Sequence, residues 1–176
     1  MAPNDVEDAV LYQIASVAGI ARAEGTSIQH VKPHGALYNL ACRDERLAQA
    51  VVRALTAYDA RLLLYAPPGS ALARAGHQAG IAVIREGFVD RAYEGDGRLR
   101  SREAAGAMIL DNQTVSERAV GLALRGSVMS IDGSPVPLAV DTLCIHGDAP
   151  GAASRAAHVR RALEAAGIEV RAAGGH

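Results

Sequence analysis

Short apolar runs of strand length alternate with longer segments of helical periodicity along the whole chain, and this rhythm constrains the fold more than any other feature. Parallel strands need helix-length crossovers, so the alternation selects α/β architecture with a largely parallel sheet. Val6, Ala9, Val10, Ile14, Val17, Ala18 and Ala21 have helical spacing and predict a helix over 5–24, stopped by Gly25. Further helices are expected over 44–58, with Asp44 as N-cap, and over 70–79, 111–124 and 150–166. Strand-like runs occupy 27–31, 62–66, 81–85, 142–145 and 168–171. Asp132-Gly133 between 127–131 and 136–140 signals a hairpin with a two-residue turn. Residues 87–102, rich in glycine and charge, break the rhythm and read as a long ordered loop. With no repeat, linker or low-complexity segment, residues 1–176 read as one domain.

Charge and composition exclude several function classes. Eighteen basic and 19 acidic residues give a net charge of -1, without the basic field that phosphate neutralisation requires, so no nucleic-acid partner is expected. No apolar run is long enough to span a bilayer, and the start lacks a basic region followed by an apolar one. Cys42 and Cys144 belong to no metal-spacing motif and read as reduced thiols. The expectation is a cytoplasmic protein with no membrane partner. Lys32 is the only lysine against 17 arginines, which points to a place where a compact ammonium cannot be exchanged for a planar guanidinium.

Chemically capable side chains gather just past the C-terminal ends of three expected strands, the edge at which parallel α/β folds bind ligands. The first group runs from His30 through Lys32 and His34 to Asn39. The second is Glu86, Asp90, Arg91 and Tyr93, with the loop onward to Arg102. The third is Cys144, His146 and Asp148. Each residue also has a structural reading: His30 as a hydrogen-bonded core histidine, Asp148 as a helix cap, Asp90 and Arg91 as partners of neighbouring charges, and Tyr93 as loop packing. Their shared edge favours function and predicts that the three segments converge in one cleft.

The same segments carry a resemblance. VKPHGALYN (31–39), F-x-DRAY (88–93) with the following G-x-L-x-x-R (97–102), and DTLCIHGDAPGA (141–152) resemble the successive signatures of the LamB/YcsF family. Val89 stands where the family usually has alanine, and Leu99-Arg100-Ser101-Arg102 where it tends to have Leu-Val-Pro-Arg. The resemblance implies a (β/α)7-type barrel of the glycoside hydrolase/deacetylase kind. It also implies that the family's opening βα units, with their Asn-Ala-Asp-Leu-Gly-Glu-like strand, are missing, so that the barrel is incomplete. Open strand edges would then be covered by self-association, with a dimer as the default.

What the resemblance implies about activity is the ATP-dependent opening of 5-oxoproline to glutamate, performed by the family member together with partner subunits B and C. Ring opening of a lactam needs a base for water, a cation near the developing oxyanion or phosphate, and an anchor for the substrate carboxylate. The resemblance assigns catalysis to Lys32, His34, His146 and Asp148, with His34 or Asp148 as base, Lys32 as electrostatic stabiliser and His146 orienting or sharing the proton. Glu86, Asp90, Arg91, Tyr93 and Arg102 are the substrate-binding set, with Arg91 or Arg102 as the carboxylate clamp. ATP is consumed with the partner subunits. Two rival readings stand beside this one. A metal-dependent deacetylase or amide hydrolase would use His34, His146 and Asp148 as ligands to a divalent metal. A non-catalytic fragment would retain partner binding alone.

Overall fold

Val6, Val10, Ile14 and Ala18, spaced four apart, form the buried stripe of helix α1 (Pro3–Ala23), which ends where Gly25 adopts φ +73°. The computed structural model describes residues 2–173, and the chain divides into two compact units, Met1–Arg85 and Glu86–His176.

In the first unit, strand β1 (His30–Val31) is followed by α2 (Gly35–Ala41), α3 (Glu45–Asp59), β2 (Leu63–Ala66) and α4 (Ala71–Gln78). Local chemistry sets the helix starts. The Asp44 carboxylate accepts from the N–H groups of Arg46 and Leu47, and the Ser70 hydroxyl accepts from Ala73 N–H. The apolar faces of α1, α3 and α4 close over the strands in one core that includes Val10, Val51, Leu55, Leu64 and Leu72. Gly76 lets α4 approach closely, since a Cβ there would stand 2.7 Å from Val83 Cγ2 and 2.9 Å from Leu64 Cδ2. β1 pairs parallel to β2, and β2 pairs parallel to the first half of β3 (Val83–Phe88), with Leu64 opposite Val83 and Ala66 opposite Arg85.

In the second unit, the last half of β3 pairs parallel to β6 (Thr142–Cys144), Glu86 facing Thr142 and Phe88 facing Cys144. Helix α5 (Asn112–Arg125), capped by Asp111, packs on α6 (Ala152–Ala165). β4 (Ser127–Met129) and β5 (Pro135–Pro137) form an antiparallel hairpin. The parallel pairings bear out the α/β expectation. No described helix is long and apolar enough to cross a membrane.

Five local expectations are corrected. The strand expected over 27–31 reduces to His30–Val31, and residues 35–41, expected only as part of a motif, are helical. The hairpin loop has three residues, not two: Ser130 and Ser134 pair across it, and Gly133 at φ +84° supplies the left-handed position. Residues 168–171 form no strand. Ile168 N–H bonds back to Leu163 O and closes α6 behind Gly167 (φ +77°). The long loop starts later than expected, because β3 runs on to Phe88, and it is ordered. Arg91 bridges Met108 and Tyr93 bridges Leu99, so the segment folds back on itself.

Candidate active site

Parallel register decides which residues meet beyond β3 and β6. With Phe88 opposite Cys144, two more residues on each strand bring Asp90 level with His146. The Asp90 carboxylate accepts the backbone N–H of His146 at 2.6 Å, and His146 Nδ1 lies 2.9 Å from its Oδ1 and 3.1 Å from its Oδ2. Asp90 is fully buried, and burial works to raise its pKa. The hydrogen bonds from the His146 ring and backbone outweigh that effect and hold the carboxyl below its ordinary value. An ionised Asp90 fixes the neutral imidazole as the Nδ1–H tautomer, which leaves Nε2 as the basic nitrogen. The Phe88 ring stacks on His146 at 5.6 Å between centroids, which further limits the imidazole's rotation.

Arg91 is buried beside this pair. Its Nη2 donates to Arg100 O at 2.6 Å, while its Nε–H meets no hydrogen-bond partner. Burial lowers the Arg91 pKa, and the positive charge of Arg102 lowers it further, against Asp90, Tyr93 and Asp148. Two guanidinium groups thus repel each other near two carboxylates. Arg102 is exposed and donates to Asp148 Oδ2 at 2.9 Å, a bond that holds the Asp148 carboxyl below its ordinary pKa. A buried orphan donor next to a second cation is an arrangement that an anionic ligand would relieve.

The other expected residues are placed as follows. Glu86 is buried in β3 opposite Thr142. Tyr93 is buried, its hydroxyl accepts from Phe88 N–H at 2.8 Å, and burial pushes its pKa up to about 12. In the first unit, His34 is exposed at the N-cap of α2, and half-buried Lys32 has its Nζ 5.7 Å from the centre of the Tyr38 ring. His30, weighed above as a core histidine, is exposed and stacks on Tyr65 at 4.1 Å. Among the described residues, no group of three or more His, Cys, Asp or Glu side chains is arranged to hold a metal ion.

Two arginines passed over in the sequence frame the loop. Arg118 of α5 donates to Val89 O, Arg91 O and Met129 O, and Arg155 of α6 donates to Leu110 O and Pro150 O. Their signal was positional. Arg118 falls at helical spacing with buried Val115 and Leu122, and Arg155 with buried Val159 and Leu163, so both sit on apolar helix faces.

Comparison with known proteins agrees with these motifs. The model of the LamB/YcsF family matches residues 1–176. The A subunit of 5-oxoprolinase from Chloroflexus aggregans is 52% identical over 171 residues, covering 97% of this chain and 68% of that protein. The A subunit of 5-oxoprolinase from Methylococcus capsulatus is 49% identical over 173 residues, covering 98% and 66%. The crystal structure of a lactam utilization protein from Thermus thermophilus superposes with a TM-score of 0.92 at 43% identity, covering 98% of this chain and 68% of that one. The chain therefore spans about two thirds of the length of the relatives it matches.

Proposed function

The chain belongs to the LamB/YcsF family, and from that premise we propose that it supplies the A-subunit chemistry of an ATP-dependent 5-oxoprolinase, a hydrolase that opens 5-oxo-L-proline to L-glutamate. The observation that carries the proposal is the Asp90–His146 contact, with Nδ1 at 2.9 Å from the buried carboxylate. ATP-dependent activation of the ring carbonyl belongs to the reaction shared with subunits B and C. At the activated carbonyl, His146 Nε2 takes a proton from the attacking water, and Asp90 stabilises the imidazolium that forms. With the carbonyl oxygen carrying the phosphoryl group from ATP, the ring C–N bond then opens, and His146 returns the proton to the departing nitrogen. A second water hydrolyses the resulting acyl phosphate to glutamate and inorganic phosphate. Base catalysis of this kind contributes roughly 10²–10⁴-fold.

Arg91 and Arg102 clamp the substrate carboxylate, supported by the unpartnered Arg91 Nε–H and by the repulsion between the two guanidinium groups. Asp148 steers Arg102 through their 2.9 Å bond, and Glu86 and Tyr93 shape the floor of the site from buried positions. For the first unit the proposal is separate: Lys32 serves as a point charge for an anion and His34 as a proton-handling group, supported by the family motif around them. The (β/α)7-type barrel belongs to the same reading and is supported by the parallel pairings joined through helices. So does assembly with partner subunits and with a second copy, which would cover apolar Tyr12, Val17 and Ile20, exposed on α1.

Calorimetric titration of the chain tests the site without partners. Saturable 5-oxoproline binding that weakens at least about tenfold in Arg102→Met is expected, since a charged bond of this kind is worth about 1.5–3 kcal/mol. Binding of 2-pyrrolidinone, which lacks the carboxylate, as tightly as 5-oxoproline would refute the clamp.

A further inference from the structure

The carbonyls of the residues before and after Asp90 are both bonded to one half-buried side chain, Arg118. Arg118 Nε donates to Val89 O at 3.1 Å and Nη2 to Arg91 O at 2.8 Å, while Nη1 reaches Met129 O at 3.1 Å at the end of β4. We infer that Arg118 is a positioning residue for the Asp90–His146 pair and for the Arg91 guanidinium. The inference deepens the reading of His146 as the base and rests on it for its catalytic meaning, but its geometry stands without any substrate.

The Arg118 bond to Val89 O holds the peptide plane before Asp90, the bond from Ile109 N–H to Asp90 O at 2.9 Å holds the plane after it, and together they set the direction of its Cα–Cβ bond. That direction decides whether the carboxylate can receive both the backbone N–H and Nδ1–H of His146 at once, at 2.6 and 2.9 Å. The same clamp sets where the Arg91 side chain leaves the chain. No ligand is needed to explain why a guanidinium lies on the apolar face of α5: three carbonyls in a fork match its donors, and a Lys ammonium cannot span them. The Tyr93 ring, 6.0 Å from the Arg118 guanidinium carbon, packs beside the clamp. Its hydroxyl in turn holds the Phe88 N–H, so the turn leaving β3 is fastened residue by residue from Phe88 to Arg91.

Amide hydrogen exchange and ¹⁵N-histidine NMR on the full chain test this without any assay of turnover. In the parent, His146 is expected as the Nδ1–H tautomer, with a slowly exchanging backbone N–H. Arg118→Lys should speed exchange of the His146 N–H at least tenfold and mix the two tautomers, while exchange at Ala119 and Leu122 of α5 stays within about threefold. A purely structural arginine would instead loosen α5 and β4 along with the loop. Unchanged His146 exchange and tautomer in Arg118→Lys would overturn the inference. So would uniform loosening, or failure of both Arg118→Lys and Arg118→Gln to fold, because either places Arg118 among residues that merely hold the fold. Loss of 5-oxoproline binding or turnover in the parent would strike the functional reading and leave this one intact.

Discussion

Replacing Tyr93 with phenylalanine removes one oxygen from a site with no access to water. Tyr93 and Phe88 are both 3% exposed, and the hydroxyl accepts the Phe88 N–H at 2.8 Å. The variant takes the hydroxyl away from that buried N–H, a cost of about 1–3 kcal/mol at neutral pH. The phenol also carries a pH signature. Its pKa is raised from 10.0 to about 12, chiefly by burial, so the unfolded chain loses this proton before the folded one does. The stability it contributes is fully present below pH 10 and is lost as pH rises through the folded value. At about 1.36 kcal/mol per pH unit the loss reaches about 1.4 kcal/mol at pH 11 and about 2.7 kcal/mol beyond the upper pKa. The variant lacks this alkaline limb, and the groups common to both chains cancel in the difference. Urea midpoints of parent and variant, taken at pH 8 and at intervals to pH 11, should show the gap between them shrinking by about 1.4 kcal/mol. A gap that is the same at pH 8 and pH 11 would refute the burial of the phenol and the reasoning built on it.

Two further outcomes are expected. Gly87→Ala places a Cβ 2.8 Å from Val140 Cγ1, so urea unfolding should register a loss of about 1–3 kcal/mol, and an unchanged midpoint would show that Val140 yields freely. Lys32→Arg, assayed with partner subunits present, should cost at least tenfold in turnover because the longer planar group cannot take the place of a point charge; a variant within about twofold of the parent would return Lys32 to the ordinary surface residues.

Helix starts were legible in the sequence because their causes are local: Asp44, Ser70 and Asp111 each accept the N–H groups two or three residues ahead. Strand extents were less so, since a strand exists only where a neighbour pairs with it. That is why the run at 27–31 shrinks to two paired residues and the one at 168–171 finds no partner among the described residues. The site shows the same divide. Its residue types and their place past the strand ends could be read from the motifs, whereas the pairing of Asp90 with His146, 56 positions apart, is a consequence of strand register. The motifs place Asp90 in the substrate-binding set and leave His34 or Asp148 as base; which partner each meets is set by the fold, where Asp90 accepts from His146 and Asp148 from Arg102. Arg118 and Arg155 were passed over because a charged residue on an apolar stripe reads as an interruption until the carbonyls it bonds are known.

The most direct measurement is glutamate release from 5-oxoproline and ATP, with subunits B and C supplied, comparing this chain with His146→Gln. Release is expected to need the chain, both partners and ATP together, and to fall by at least about 10² in the variant. Release by the chain without its partners, no release with all components present, or equal release by His146→Gln would contradict that expectation.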